Sequence, residues 1–303
     1  MTFWQTFWQM ILSILGLYKP TTTTTTTRPP SNVTTTTTTG TGEKKMKIAL
    51  CVGINKYPNP ANNLAGCVND ANDFVHLLND VYKFDKVVML LDSDATLGNV
   101  TNKMNELLAM KPDVFVYTNS SHGTRLTDTT GTEVDGYCEA ICLYDQFLVD
   151  HNFKQILAKA DPKTHITVIS DSCHSAGVTR EFLMAMNDFS YESKPRYLPH
   201  PDNMEAMRVA MMPIAKAIFE PNENMNEVLM AGCKSDQYSY DASFAGRPNG
   251  AFTYYTVQLL KSNQSLTYGE FVTKMTQYLP SRRYPQTPVV ETKESLKDTV
   301  IFS

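Results

Sequence analysis

The stretch HITVISDSCHSAG, residues 165–177, joins the pattern of a β-strand to a reactive motif. Apolar and β-branched side chains fill most of residues 165–170, which is typical of a strand, and Asp171 and Cys173 follow at its predicted end. In open parallel sheets, functional sites lie beyond the carboxyl ends of the strands. Asp171 and Cys173 are therefore candidates for function if the rest of the chain forms such a sheet.

From Lys47 onward, strand patterns alternate with helix patterns. The continuous apolar run at 48–54 is typical of a strand that is buried on both faces of a sheet. Further strands are predicted at 86–91, 113–118, 165–170, 227–231 and 298–302, and helices at 70–79, 100–110, 153–160, 251–260 and 268–278. This alternation predicts the α/β class, with a mostly parallel central sheet covered by helices on both faces.

Composition and charge exclude several classes of protein. The 303 residues are 42% hydrophobic and 19% charged, which is ordinary globular usage, and the net charge is -4. A broadly basic nucleic-acid-binding protein and a highly charged disordered chain are both excluded. Six cysteines are too few for a disulfide scaffold in a chain of this length, so a reduced, cytoplasmic setting is predicted.

The first 45 residues differ from the rest of the chain. Residues 3–18 are apolar and uncharged, with aromatic pairs that suit a membrane interface, but they are fewer than the roughly 20 residues that span a bilayer. A membrane-contacting helix is favoured over a short span, a sticky tail or a partner-binding helix. Threonine runs and prolines predict a disordered linker at 21–45.

The predicted organisation is a hydrophobic segment at 1–20, a linker at 21–45 and one folded domain at 46–303. Within that domain, a larger part is expected at 46–186 and a smaller part at 225–303. Residues 187–224 are rich in Pro, Asn and Met without an apolar period, which predicts a long excursion between the two parts.

Two motifs follow neighbouring predicted strands. Ser120-Ser-His-Gly123 comes after the strand at 113–118, and Asp171-Ser-Cys173 comes after the strand at 165–170. A cysteine and a histidine at one sheet edge can act as nucleophile and general base, here Cys173 and His122. The backbone N–H groups of Gly123 and Cys173 are candidates for the donor pair that stabilises an oxyanion. Taken singly, an isolated cysteine is more often a core residue, and a lone histidine in a loop is more often solvated.

The order and spacing of the motifs resemble those of a metacaspase, a caspase-like cysteine peptidase. The resemblance runs from about residue 47 to residue 303 and includes ALCVGIN at 49–55, LAGCVNDA at 64–71, SSHG at 120–123, DGY at 135–137 and DSCHS at 171–175. It continues with GCKSDQ at 232–237, GAFT at 250–253 and YPQTP at 284–288. The resemblance implies a caspase-like three-layer sandwich.

The resemblance also implies an activity. Cys173 would be the nucleophile and His122 its base and acid, in a cysteine endopeptidase that cuts protein or peptide substrates after Arg or Lys through a thioester. The side chain before the cut bond would enter an acidic S1 pocket built from Cys67, Asp70, Ser120 and Asp171. Two carboxylates there would hold a guanidinium and reject an acidic side chain. For Asp70, a helix N-cap is the competing interpretation. A monomer is expected.

Two rival functions are kept beside this one. A catalytically silent caspase-fold scaffold or interaction protein would need neither motif, and the intact Cys173 and His122 speak against it. A caspase-like enzyme that cuts after Asp would need a basic S1 pocket, and no basic residue occurs in the matching motifs.

No cofactor is required by this chemistry, and weak or absent calcium activation is predicted. The resemblance matches the aspartates of the family's calcium site to Cys138, Asp150, His151 and a position near Thr179 or Arg180. Asp150 is the remnant acid of that set, whereas calcium takes six to eight oxygen ligands. Acids at 133, 135, 139 and 145 lie nearby in the sequence, so a calcium site built from other acids stays an alternative. Cys138 and Cys142 have no second suitably spaced pair, so they do not predict zinc.

Any self-cleavage is predicted after basic residues in segments without an apolar period, because such loops are open to proteolysis. Lys44 or Lys45 at the end of the linker is favoured, followed by Lys194, Arg196 or Arg208 in the excursion.

Overall fold

The computed structural model of the chain describes residues 44–127, 136–173, 193–198, 227–235 and 237–303. Residues 44–303 form one compact unit. The predicted membrane-contacting segment, the linker up to residue 43 and most of the excursion lie outside the described residues. In the described part of the chain, no helix is both long enough and apolar enough to cross a membrane.

The strands and helices follow one another along the chain much as the sequence predicts. The strands are β1 (Lys47–Gly53), β2 (Lys86–Leu91), β3 (Val114–Ser120), β4 (Gly123–Thr127), β5 (Tyr137–Cys142), β6 (Phe147–Val149), β7 (His165–Asp171), β8 (Ser193–Pro195), β9 (Glu227–Ala231), β10 (Tyr240–Phe244), β11 (Arg247–Gly250) and β12 (Val289–Glu291). The helices are α1 (Cys67–His76), α2 (Leu97–Leu108), α3 (Asp150–Leu157), α4 (Ala251–Ser262) and α5 (Tyr268–Met275).

The central sheet has the strand order β12-β9-β7-β3-β1-β2. All neighbouring strands in it are parallel except β12, which pairs antiparallel with β9 at the edge. Strands β3 and β7 are direct neighbours, so the two reactive motifs leave the same edge of the sheet side by side.

Helices cover both faces of the sheet because side chains alternate along its strands. On β1, Cys51 belongs to a core that contains Phe74 of α1 and Leu260 of α4. Leu50 belongs to a separate core that contains Met104 of α2. The predicted three-layer α/β sandwich with a mostly parallel sheet is confirmed.

The strand predicted at 298–302 is wrong. Val300 makes only an isolated bridge with Thr267, and Phe302 has a backbone φ of 62°, a left-handed conformation that a strand cannot contain. Ile301 and Phe302 are buried against the helices, which explains their apolar pattern. The edge of the sheet is formed by the short strand β12 instead.

Two small antiparallel sheets, absent from the sequence prediction, flank the reactive motifs. One has the order β4-β5-β6, and its first strand begins at Gly123. The other has the order β11-β10-β8 and joins residues 193–195 of the excursion to the smaller part of the domain. Both sheets supply groups to the candidate site.

Candidate active site

The two reactive motifs are held in register by the central sheet. Ser120 at the end of β3 pairs with Asp171 at the end of β7. His122 and Cys173 each follow two residues later, and both side chains are almost completely buried. The parallel pairing therefore places the histidine and the cysteine at the same level of the sheet edge.

One ring nitrogen of His122 is oriented by the backbone. Nε2 lies 2.7 Å from the carbonyl oxygen of Asn62, and this acceptor fixes the proton on Nε2. Nδ1 is buried and has no hydrogen-bond partner among the described residues. Burial lowers the pKa of His122 to about 3, so the ring is neutral and its Nδ1 lone pair is available as a base.

The Cys173 sulfur is held by the loop between β9 and β10. The backbone N–H of Ser239 donates to Cys173 Sγ at 2.8 Å. The Cys233 thiol lies beside the same sulfur, and its hydrogen bond with Cys173 together with burial raises the pKa of Cys233 well above its usual range. The Cys173 thiol in turn donates to the Ser239 carbonyl oxygen at 3.2 Å, so both backbone groups of Ser239 hold the sulfur in place.

Two backbone N–H groups converge on a single carbonyl oxygen, that of Arg196. Gly123 N donates to it at 2.9 Å and Cys173 N at 3.2 Å. A Cβ on Gly123 would lie 1.9 Å from the Cys173 carbonyl oxygen, so only glycine allows these two backbones to approach so closely. The pair predicted to stabilise an oxyanion is thus in contact with a peptide carbonyl of the chain itself.

The Arg196 side chain fills a buried acidic pocket. Its Nη2 atom lies 2.7 Å from Asp70 Oδ2 and 2.9 Å from Asp241 Oδ1, and its Nη1 atom lies 3.1 Å from Asp171 Oδ2. Nη1 also donates to Ser120 Oγ at 2.9 Å. The guanidinium has no solvent exposure. One cation is therefore enclosed by three carboxylates and a hydroxyl.

The pocket carries more negative than positive charge. Burial raises the pKa of Asp70 to about 6, and the Arg196 guanidinium only partly offsets this while the Asp171 charge adds to it. The carboxylates hold the pKa of Arg196 well above its usual range. Burial also raises the pKa of the Cys67 thiol at the pocket wall. Such a pocket favours a cationic side chain and disfavours an acidic one.

Residues 193–198 enter the site as strand β8 followed by an isolated bridge between Tyr197 and Gly123. Within this segment, β8 pairs antiparallel with β10, and Arg196 N donates to the Ser239 carbonyl at 2.9 Å. Beyond Arg196, the backbone N–H of Leu198 donates to the Gly123 carbonyl at 2.9 Å. Strand addition of this kind is how an extended peptide binds a sheet edge.

The structure brings together the residues that the sequence assigns to the S1 pocket. Ser120 Oγ donates to Asp70 Oδ2 at 2.6 Å, and the contacts of Arg196 add Asp171 and Cys67 to the same group. The alternative of Asp70 as a helix N-cap is wrong. The N-cap of α1 is Gly66, and Asp70 lies inside the first turn of the helix.

Asp171 has a second role that sequence reasoning missed. Its Oδ2 atom accepts the backbone N–H of Thr253 at 2.9 Å and the Thr253 hydroxyl at 2.8 Å, in the first turn of α4. The carboxylate therefore anchors the start of that helix as well as facing Arg196. The position of Asp171 after a predicted strand does not predict its contacts with Thr253.

Other contributors lie between the recognised motifs. Asp241 comes from β10, and Asn62 contributes through its backbone carbonyl, which any residue type would supply. A lone acid soon after the GCKSDQ motif was the available signal for Asp241. For Asn62 the sequence contains no signal.

The remnant calcium positions are only partly described. Cys138, Asp150 and His151 present one ligand atom each within 4.8 Å of one another, whereas the position near Thr179 or Arg180 lies outside the described residues. A thiol, a carboxylate and an imidazole do not fit calcium, which takes oxygen ligands. The expectation of weak calcium activation stays a prediction.

Comparison with known proteins identifies the family of the chain. The sequence profile of the caspase-domain family, peptidase C14, matches residues 46–300. The chain belongs to the caspase-domain family. Its resemblance to metacaspases is confirmed by its similarity to several curated members of that group. It is 28% identical to metacaspase-1 of Cryptococcus neoformans over 86% of this chain and 65% of that protein.

Other relatives in this family cover different shares of their own length. Metacaspase-1 of Schizosaccharomyces pombe is 27% identical over 79% of this chain and 65% of that protein, and metacaspase-4 of Arabidopsis thaliana is 37% identical over 45% and 35%. The chain therefore spans about two thirds or less of the length of these three relatives.

Solved structures show the same fold. A Geobacter sulfurreducens protein superposes with a TM-score of 0.63 at 24% identity, covering 85% of this chain and 98% of that one. Caspase-1 from Spodoptera frugiperda superposes with a TM-score of 0.51 at 10% identity, covering 82% and 87%.

Proposed function

We propose that this member of the caspase-domain family is a cysteine endopeptidase that cuts after Arg or Lys, with Cys173 as nucleophile and His122 as base. One observation carries the proposal. Arg196 has its guanidinium in the acidic pocket and its carbonyl oxygen between the N–H groups of Gly123 and Cys173. This is the arrangement that a substrate needs at the residue before the cut bond.

The proposed reaction begins with transfer of the Cys173 thiol proton to Nδ1 of His122. The sulfur attacks the carbonyl carbon of the basic residue, and the N–H groups of Gly123 and Cys173 hold the oxygen that becomes negative. The C–N bond then breaks, and His122 gives its proton to the leaving amine. A water molecule, deprotonated by His122, hydrolyses the thioester and returns the thiol.

Charge supports the proposed preference for a basic residue. Asp70, Asp171 and Asp241 line a pocket with little or no exposure to water. Without a cation, their buried charges would repel one another and lack compensation, which is strongly unfavourable. Arg and Lys supply that cation, whereas Asp would add a further negative charge.

Hydrolysis of short fluorogenic peptides tests this function. We expect turnover of Arg and Lys peptides, none of an Asp peptide, and none with Cys173→Ala. His122→Ala should reduce kcat by at least about 10²-fold. Undiminished turnover by pure Cys173→Ala protein would contradict the assignment. A folded wild-type chain that neither cuts itself nor hydrolyses these peptides would favour the silent scaffold.

The chain's own Arg196–Tyr197 bond is the first substrate under this proposal. Its carbonyl oxygen accepts from the backbone N–H groups of Gly123 and Cys173, whereas Lys44 is an exposed residue paired with Asp85 at 2.5 Å. We therefore favour cleavage after Arg196 over cleavage after Lys44 or Lys45. While residues 193–198 stay in the site, an outside peptide cannot occupy it.

Intact mass measurement separates these cleavage sites. Arg196→Lys should keep the cut before Tyr197, and Arg196→Gln should abolish it, since the neutral amide leaves the acidic pocket without its cation. Lys44→Gln with Lys45→Gln is the matched control and should not affect that cut. The same fragment from Arg196→Gln or from Cys173→Ala would argue against self-cleavage at this bond.

A further inference from the structure

Cys138, Asp150 and His151 form a second group of reactive side chains, which we call the hairpin cluster. Their sulfur, carboxylate and ring-nitrogen atoms all lie within 4.8 Å of one another. Cys138 is buried, while Asp150 and His151 are partly exposed. The hairpin cluster is therefore reachable from solution and has one buried, soft ligand.

The pairing of β5 with β6 brings these residues together. The two strands pair antiparallel with Ala140 opposite Val149. Continuing that register by two residues places His151 opposite Cys138. Because α3 begins at Asp150, the chain turns into a helix at this point, and two consecutive side chains face the sulfur.

The ligand types decide which cation fits. Calcium is a hard ion that takes six to eight oxygens, and this group of three offers only the oxygens of Asp150. A thiolate, an imidazole and a carboxylate are the three ligand types that zinc takes in proteins. Bound to them, Zn²⁺ would be neutralised by the two negative charges of Cys138 and Asp150.

The distances suit a small tetrahedral ion. Zinc bond lengths of about 2.0–2.3 Å place tetrahedral ligand atoms roughly 3.3–3.8 Å apart. The present upper bound of 4.8 Å therefore needs to shrink by only about 1 Å. Rotation of the Cys138 and His151 side chains provides movement of that size.

One ligand atom has an unmet bonding need. His151 Nδ1 is buried and has no hydrogen-bond partner among the described residues, with Asp150 Oδ1 3.9 Å away. A buried polar atom without a partner costs stability, and a metal ion would remove that cost. Asp150 is already oriented, because its Oδ1 accepts the backbone N–H of His151 at 2.6 Å.

We propose that Cys138, Asp150 and His151 bind one divalent cation of the zinc type, in place of calcium, with water completing the coordination. Bound metal fastens α3 to β5. Strand β5 pairs with β4 from Gly123 opposite Ile141 to Leu126 opposite Cys138, so the metal stabilises the hairpin that carries the oxyanion donor. Metal binding does not depend on the proposed peptidase activity.

Cobalt binding by the full chain carrying Cys173→Ala tests this site without interference from the catalytic thiol. We expect one equivalent of Co²⁺ to produce a thiolate-to-cobalt charge-transfer band, and Zn²⁺ to remove it. At a hundredfold excess over its Kd, Zn²⁺ should raise the Tm by about 5–10 °C. Equimolar Ca²⁺ should change neither the band nor the Tm.

Substitutions assign the band to this cluster. Cys138→Ser and His151→Gln should each weaken Co²⁺ binding at least about tenfold. Cys142→Ser, a buried thiol on the same strand, is the matched control and should keep the band. Cys138→Asp combined with His151→Asp should lose the band and gain calcium binding. If Cys138→Ser fails to fold, His151→Gln decides, since its side chain is 38% exposed.

Three results would overturn the proposal. The first is a folded wild-type cluster that binds neither Co²⁺ nor Zn²⁺. The second is a charge-transfer band that survives His151→Gln with unchanged affinity. The third is tighter binding of Ca²⁺ than of Zn²⁺ by the unaltered cluster.

Discussion

Two groups of acids and thiols lie near the hairpin β4–β5, and they obtain a positive charge in different ways. In the proposed S1 pocket, the chain itself supplies Arg196, whose side chain and acidic partners are buried. In the hairpin cluster, the partly exposed side chain of Lys154 brings its amine to 3.3 Å from Asp150 Oδ2.

The difference in burial has a thermodynamic consequence. Removing a cation from a buried group of carboxylates leaves charges that water cannot reach, so Arg196 leaves only when another cation enters or the pocket opens to solvent. An exposed ion pair contributes little, so Lys154 can give way to a metal. Under the two proposals, the first site therefore takes a peptide side chain, and the second takes a free ion.

The largest expected effect on kcat comes from disturbing the two backbone N–H donors beside the S1 pocket. Gly123→Ala would place a Cβ 1.9 Å from the Cys173 carbonyl oxygen, so the two backbones must separate. Loss of one oxyanion donor costs about 10²–10³-fold in kcat. We expect a loss of that size in steady-state peptide hydrolysis.

Gly98→Ala is the matched control for this substitution. A Cβ there meets no atom within 4 Å, and the position lies inside α2. Hydrolysis should stay within about twofold, and the free energy of unfolding should rise by up to about 1 kcal/mol. Equal activity of the two variants would show that the Gly123 N–H does not serve the reaction.

A second test replaces one aspartate by asparagine in the S1 pocket and one in the hairpin cluster. Asp171→Asn removes one carboxylate from the S1 pocket, and charge-assisted hydrogen bonds contribute about 1.5–3 kcal/mol each. The kcat/KM for an Arg peptide should therefore fall about 10–150-fold. Asp150→Asn in metal-free buffer should stay within about threefold.

Asp171 also anchors α4 through Thr253, so folding must be separated from recognition. The ratio of kcat/KM for an Arg peptide to that for its neutral citrulline analogue provides this separation. Loss of recognition lowers the ratio, whereas a general loss of folded protein leaves it unchanged. An unaltered ratio would remove Asp171 from the S1 pocket.

A third test uses the pH dependence of stability to measure how well the candidate site keeps water from His122. Burial lowers the pKa of His122 to about 3, against about 6.5 in the unfolded chain. Between these values the unfolded state binds the proton and the folded state does not, so His122 makes stability fall as pH falls. From pH 6.5 to pH 5 this contributes a loss of about 2 kcal/mol.

Urea unfolding of uncleaved Cys173→Ala protein, with and without His122→Gln, isolates the effect. The difference between the two stability curves should change by about 2 kcal/mol over that interval. Subtraction cancels Asp70, whose raised pKa of about 6 acts in the opposite direction. Parallel curves would mean that water reaches His122 while residues 193–198 occupy the site.

The central sheet and the main acids of the site were predictable from sequence for physical reasons. A parallel strand buried on both faces must be apolar throughout, so β1, which is buried along nearly its whole length, appears as a continuous apolar run. The motifs that follow such strands contain Cys173, His122, Asp70 and Asp171 within short, distinctive stretches.

The rest depends on long-range pairing that local patterns do not encode. Strands β4, β8 and β11 are short and mostly polar, and they form because a neighbouring strand completes their hydrogen bonds. Arg196 appears in the sequence only as one basic residue among several in the excursion. Its selection as the occupant of the pocket comes from the pairing of β8 with β10.

The hairpin cluster is marked in the sequence only by the resemblance, as calcium positions that have lost acids, and the cysteine spacing does not predict zinc. Cys138 is twelve positions before Asp150 in the sequence, and the pairing of β5 with β6 brings the two residues together. Spacing rules for zinc describe ligands on one short loop. They do not detect a site that is assembled by the register of β5 with β6.

The smallest expected effect concerns the hairpin cluster and tests whether Lys154 competes with the metal. Lys154 Nζ lies 3.3 Å from Asp150 Oδ2, and the Lys154 side chain is 47% exposed. Exposed ion pairs contribute about 0.2–1 kcal/mol, so Lys154→Gln should change the free energy of unfolding very little. The same substitution removes a cation that competes with the metal for the Asp150 carboxylate.

Cobalt titration of Lys154→Gln in a Cys173→Ala background should therefore show Co²⁺ binding about 2–5-fold tighter. Lys159→Gln is the matched control, because the Lys159 amine contacts Asn105 instead of Asp150. Weaker binding in Lys154→Gln would show that the lysine orients Asp150 for the ion, and that the hairpin cluster, like the S1 pocket, needs a cation from the chain.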